Sequence, residues 1–211
     1  MSPRTPKPDG RSPKLKASRP TDLERRPGRR RYNPRHLIIG EGVTERLYFS
    51  GFKRRGLQLE VINLEVDHRK VVEKAAERRR TDDYDTVWCV LDTELDPRMT
   101  QDLAKAAQDG DVRLVLSAPS FDFWLILHKN PEHRRPFGSA EAAKRELKRL
   151  VPGWEPGCTH FADFSDGLDG ARKHAALIDP GPKHENHLFT EAWRLVDFLD
   201  PGNEITDDGC C

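Results

Sequence analysis

"TVWCVLDTELDP", residues 86–97, is the stretch on which the fold turns. Thr86 to Asp92 opens with an unbroken β-branched, aromatic and apolar run, the pattern of a central strand buried on both faces. A strand with one wet face would alternate instead. Three acids then arrive in five residues: Asp92, Glu94 and Asp96. A carboxylate at the carboxyl end of a core strand is costly to bury, so it raises the question of what it meets there.

Working outward, strands and helices alternate. His36–Gly40 reads as a strand and Thr44–Arg55 as a helix whose apolar side is Leu47, Tyr48, Phe49 and Phe52. Leu57–Val66 alternates with period two, as a half-buried strand does. Arg69–Arg80 is a charged helix that turns Val71, Val72, Ala75 and Ala76 inward. Beyond the central run, Met99–Gln108 gives a helix ended by Gly110, Val112–Ser117 a strand, and Pro119–His128 a strongly apolar helix. Helices come next at 139–150, 170–178 and 188–199, separated by joints rich in Gly and Pro. The alternation over 36–128 predicts an α/β domain, a mostly parallel sheet flanked by helices, with a helical C-terminal extension over 139–199.

Charge divides the chain. Residues 1–35 hold nine Arg and three Lys against Asp9, Asp22 and Glu24, a balance of +9, while the remainder carries 24 basic and 32 acidic residues. Seven prolines and few large apolar side chains in that basic segment predict a disordered arm over 1–35. Such an arm suits phosphate contacts with nucleic acid; a solubilising leader, or one that folds back on the acidic domain, fits equally well. The ordered domain then spans 36–200, with 201–211 as a tail. No apolar run reaches the ~20 residues that a bilayer requires, and the N-terminus has no apolar signal region. Four cysteines without a CxxC pair support neither a disulfide framework nor a zinc site. A reducing cytoplasm is the expected compartment.

In parallel sheets, sites form beyond the carboxyl ends of the strands. Glu41 follows the first strand, Asp92 ends the third, and Ser117-Ala118-Pro119 follows the fourth, so one edge gathers all three. Convergent carboxylates without His or Cys suit Mg²⁺ or Mn²⁺ rather than zinc. A DxE alone is more often a solvated segment in which the aspartate caps the next turn. No GxxxxGK[ST] loop is present, and no serine has a paired histidine signature.

Three segments in order carry a resemblance. "EGVTE" after one strand and "DTELD" after a later one resemble the Toprim pattern of a Glu and a DxD-type motif. "EGVTERLYF", "VWCVLDTELD" and "SAPSFDFWLILH" together resemble the RloB-like family, a Toprim-related group associated with abortive infection, over roughly residues 36–200. Glu94 stands where that family has an aspartate, Asp122 where it has a glutamate, and Ala118 where Asn is usual.

The resemblance implies a Toprim-like fold and a metal-dependent nuclease of anti-phage defence. Asp92 and Glu94 would hold Mg²⁺ (or Mn²⁺), Asp96 would be a third or outer ligand, and Glu41 a ligand or the general acid–base. Glu45 and Asp122 read equally as site residues or as acids complementing helix N-termini. His128 reads as a satisfied core histidine or a site residue. The expected partners are DNA or RNA and an ATPase encoded nearby; the alternative is a non-catalytic nucleic-acid-binding or regulatory subunit.

Overall fold

The computed structural model describes residues 33–93, 95–178 and 188–201. The basic arm up to residue 32, Glu94 and the tail from residue 202 lie outside the described residues.

Four strands are parallel: β1 (Arg35–Gly40), β2 (Gln58–Asn63), β3 (Thr86–Asp92) and β4 (Arg113–Ala118). A fifth, β5 (Phe189–Thr190), pairs antiparallel with β4, and the sheet order is β2-β1-β3-β4-β5. Helices α1 (Val43–Ser50), α2 (His68–Thr81), α3 (Pro97–Asp109) and α4 (Asp122–Lys129) follow the four parallel strands in turn. Three more, α5 (Ala140–Leu150), α6 (Leu168–Leu177) and α7 (Ala192–Leu199), make the C-terminal part. The α/β architecture expected from the alternation is the one observed.

The central strand explains the two layers. Successive side chains leave a strand on opposite faces. Trp88 and Val90 therefore join Ile38 and Val115 in one core, against α1 and α4–α7. Val87, Cys89 and Leu91 join Leu37, Ile39 and Leu116 in the other, against α2 and α3. With both faces covered, β3 has no reason to alternate. α2 buries only Val71, Val72, Ala75 and Ala76, a narrow stripe that its many charges leave intact. α4 instead buries everything from Phe123 to His128, since α5 and α6 pack around it.

Boundaries differ where tertiary contacts decide them. The first helix stops at Ser50 rather than continuing to Arg55: Gly51 caps it, and a Cβ there would sit 2.2 Å from Phe161 Cβ. The final predicted helix gives up its start to β5. Thr190 Oγ1 lies 2.8 Å from Ser117 Oγ, and the Leu116 N–H donates to the buried Glu191 carboxylate at 3.0 Å. These contacts fix residues 189–191 along the sheet edge, and α7 begins only at Ala192. An ion pair between the buried Arg172 and the partly exposed Asp197, 2.5 Å from Nη2 to Oδ1, then ties α6 to α7. Among the described residues, no helix is long and apolar enough to cross a membrane.

Candidate functional site

The sheet order sets β1, β3 and β4 side by side, so their carboxyl ends share one edge. Gly40 pairs with Val90 and Asp92 with Ser117. Just past β1, the Glu41 N–H continues the ladder by donating to Val90 O at 3.2 Å. Its carboxylate turns to the same strand: the Asp92 N–H approaches Glu41 Oε2 at 3.4 Å. That same oxygen lies 2.9 Å from His68 Nε2, at the start of α2.

Glu45 reaches the edge because Gly40 has no side chain. A Cβ at position 40 would stand 2.7 Å from Glu45 Cβ, so the bare backbone lets α1 tuck against the end of β1. The Gly42 N–H donates to Glu45 Oε2 at 3.0 Å, which satisfies one free amide at the helix entry. The residue is only 6 % exposed. Burial, and then the charges of Glu41 and Asp122, push its carboxyl up to about 7 against two backbone hydrogen bonds that favour the ionised form.

Asp92 is half-buried at the end of β3. Its Oδ1 accepts the Phe121 N–H at 2.8 Å, which fastens the third strand to the turn after β4. Loss of solvent, then the neighbouring Glu45 and Glu41, hold this carboxyl well above the ordinary aspartate range. Asp122 opens α4 and is raised to about 6, mainly by burial; Lys144 on α5 opposes the rise. Four carboxylates, Glu41, Glu45, Asp92 and Asp122, thus feel one another at one edge. Such a set is relieved of much of its repulsion when a proton or a cation enters it.

The other residues singled out from the sequence go elsewhere or are not described. Glu94 lies outside the described residues. Asp96 caps α3, with Oδ1 accepting the Arg98 and Met99 N–H groups at 2.9 and 3.2 Å. Just before it, Leu95 has φ +63°, a left-handed conformation that a branched side chain rarely adopts. His128 sits in the core beneath the edge. Its Nδ1 is 2.6 Å from Phe164 O and its Nε2 is 3.0 Å from the Tyr48 hydroxyl. Burial lowers it to about 4, so it is neutral, donating from Nδ1 and accepting from Tyr48.

His68 is the residue that sequence reasoning missed. It directly follows Asp67, the cap of α2, whose carboxylate accepts the Arg69 N–H at 3.0 Å. That helix follows β2, so the edge rule that selected Glu41 and Asp92 also points to its first turn.

Chemically, the edge offers hard oxygen donors. Glu41, Glu45 and Asp92 each turn one carboxylate oxygen to a backbone amide, which orients the second. Among the described residues, no group of three or more His, Cys, Asp or Glu side chains is disposed to hold a metal ion. The donor chemistry fits a hard divalent cation; a finished cage is not present among these residues.

No curated protein and no solved structure matches the chain. The family model described as RloB-like protein matches residues 36–199, from the second residue of β1 to the last of α7. The match takes in all three segments that carried the resemblance, along with the carboxylate edge they build, and the chain belongs to the RloB-like family.

Proposed function

We propose that the chain is a metal-dependent phosphodiester hydrolase, a nuclease of the Toprim type acting in anti-phage defence. The observation that carries this reading is the convergence of Glu41, Glu45, Asp92 and Asp122 at one sheet edge, where burial raises Glu45, Asp92 and Asp122 and the neighbouring carboxylates raise Glu45 and Asp92 further. Edges of this kind are where parallel sheets bind their ligands. A cation relieves such repulsion without requiring the acids to be protonated.

In this reading Asp92 and Glu94 hold Mg²⁺ or Mn²⁺, with Asp96 as an outer ligand through the oxygen that does not cap α3. When bound, the ion supplies Lewis-acid stabilisation to the attacking and leaving oxygens of a phosphodiester. Glu41 completes the ligand set or moves the proton of the reacting oxygen. The basic arm contributes affinity for DNA or RNA through phosphate contacts. Family membership supports the defence setting and an ATPase partner encoded nearby.

The test is cleavage of defined DNA and RNA substrates with Mg²⁺ or Mn²⁺. Activity that is present in the wild type and abolished in Asp92→Asn supports the reading. Intact substrates under all conditions, with Glu41→Ala and wild type alike in a phage challenge, would sink it. One observation favours a second reading, a nucleic-acid-binding or regulatory subunit without catalysis. Glu45, Asp92 and Asp96 each accept a backbone N–H that fastens a helix entry or a turn, so each already has a structural task at the edge. Nucleic-acid binding without cleavage, unchanged by Asp92→Asn, is the signature of that subunit.

A further inference from the structure

We infer that His68 is a positioning residue for Glu41, and so a further member of the acidic site. The inference rests on the reading of that edge as a metal site, but the contact that carries it does not. His68 Nε2 lies 2.9 Å from Glu41 Oε2, with the two side chains 13 % and 31 % exposed. The same Oε2 is the acceptor that the Asp92 N–H approaches at 3.4 Å. One oxygen of Glu41 is therefore gripped from two directions, by the start of α2 and by the end of β3. Among the described residues, nothing holds the other oxygen, Oε1.

The anchor is rigid. Asp67 caps α2 with its carboxylate on the Arg69 N–H, and its carbonyl accepts the Val71 N–H at 3.0 Å. Val71 and Val72 in the next turn are buried in the core shared with Leu37 and Ile39 of β1. The imidazole therefore stands on a fixed helix end, whereas Glu41 stands on a short loop between β1 and α1. His68 also lines a cleft of about 300 Å³ with Asp67, Arg69, Asp96, Arg98 and Met99. It thus both lines that cleft and contacts the Glu41 carboxylate. Without the imidazole, Glu41 has a rotamer choice that His68 now restricts, and orienting partners of this kind are worth about ten- to a hundredfold in metal affinity.

Two readouts separate this role from the wider reading. The first needs no metal: amide hydrogen exchange at Asp92, whose N–H depends on where Glu41 Oε2 is held. His68→Ala is expected to speed that exchange about tenfold, while His68→Gln, whose amide can donate to the same oxygen, restores it. The second is Mn²⁺ affinity by calorimetry: His68→Ala weakens binding at least tenfold in the wild-type background and not in Glu41→Gln. Exchange at Asp92 unchanged in His68→Ala overturns the positioning role, whatever the metal does. So does weakened Mn²⁺ binding that persists in the Glu41→Gln background. A wild type that binds no Mn²⁺, while Asp92 exchange still responds to His68→Ala and recovers in His68→Gln, overturns the metal reading and upholds the positioning role.

Discussion

Asp92 Oδ1 accepts the backbone N–H of Phe121 at 2.8 Å, so the last residue of the central strand holds the turn that starts α4. The carboxylate has two separable properties there, an acceptor oxygen and a charge. The acceptor closes the gap between β3 and the turn after β4. The charge stands among those of Glu45, Glu41 and Asp122 and raises the cost of folding at neutral pH.

Asp92→Asn divides these properties, because an amide oxygen still accepts the Phe121 N–H while the charge is gone. The variant is expected to be more stable than wild type at pH 7.5 by about 1 kcal/mol, a rise in melting temperature of roughly 2–4 °C. Mn²⁺ affinity should fall by more than about a hundredfold. Scanning calorimetry and metal titration on the same samples check both. A less stable variant would mean that the carboxylate's hydrogen bonding outweighs the repulsion at this edge.

Glu45 and His128 act on the pH dependence of stability with opposite signs. Glu45 has its carboxyl raised from 4.5 to about 7, so its contribution is complete below about pH 4.5 and is lost as pH rises through about 7. His128 is lowered from 6.5 to about 4, so its contribution is complete above 6.5 and is lost as pH falls through about 4. Between about pH 4.5 and 6.5 the two slopes, each about 1.4 kcal/mol per pH unit at most, oppose one another. Asp122 adds to the Glu45 side. Asp92, also raised, acts in that direction too, so Glu45→Gln should make the slope of urea midpoint against pH more positive than in wild type across this window, with Asp92 and Asp122 still opposing the histidine. A slope in Glu45→Gln equal to that of wild type would contradict the assignment.

His128 joins α4 to Tyr48 of α1 and to the carbonyl of Phe164. His128→Phe keeps the ring volume and strands both partners, at a cost of roughly 2–4 kcal/mol. Tyr48→Phe in the same background removes one stranded hydroxyl and should return about 1 kcal/mol of that deficit. Chemical denaturation of the two single variants and the double variant measures the coupling. Additive effects would show that the Tyr48 hydroxyl is satisfied by another route.

How far the sequence discloses these features depends on which interactions set them. Thr86–Asp92 is legible to the residue because its apolar run meets two covered faces, and the run itself encodes both. Glu41 and Asp92 are legible as neighbours because strand ends in a parallel sheet share an edge. β5 is not legible: two residues, Phe189 and Thr190, are extended only because Ser117 and Ala118 pair with them. His68 escapes for a similar reason. Its role arises from a contact between the start of α2 and the end of β1, and nothing in "VDHRK" marks that contact beyond its place after a strand. Glu45 shows its capping position in sequence, but its raised carboxyl comes from burial made possible by Gly40.

Leu95 places a branched side chain at φ +63° between Asp92 and Asp96. Leu95→Gly removes a conformational cost of about 1–2 kcal/mol and adds a smaller entropic one, so thermal stability should hold or increase slightly. The turn bearing the acids becomes less restricted, and Mn²⁺ affinity should fall several-fold. A drop in both stability and affinity would show that the Leu95 side chain packs strongly enough to outweigh its strain.

Removing the basic arm tests whether it supplies affinity for nucleic acid, and the cut must respect β1. Arg35 is already in that strand: its N–H donates to the Asp85 carboxylate at 2.7 Å, and its carbonyl accepts the Asp85 N–H at 2.8 Å. Deleting residues 1–32 removes eight of the nine arginines and all three lysines of the segment while sparing these contacts. The shortened protein should melt within a few degrees of wild type, whereas deletion through residue 35 should lower the melting temperature further. Every phosphate that the arm no longer neutralises reduces the slope of log affinity against log salt by about 0.9 on duplex DNA. A fall of several units, with cleavage retained at higher protein concentration, separates an arm that tethers from an edge that cuts. If cleavage disappears at saturating protein while the fold persists, the arm belongs to the chemistry, and the carboxylate edge alone is not the whole site.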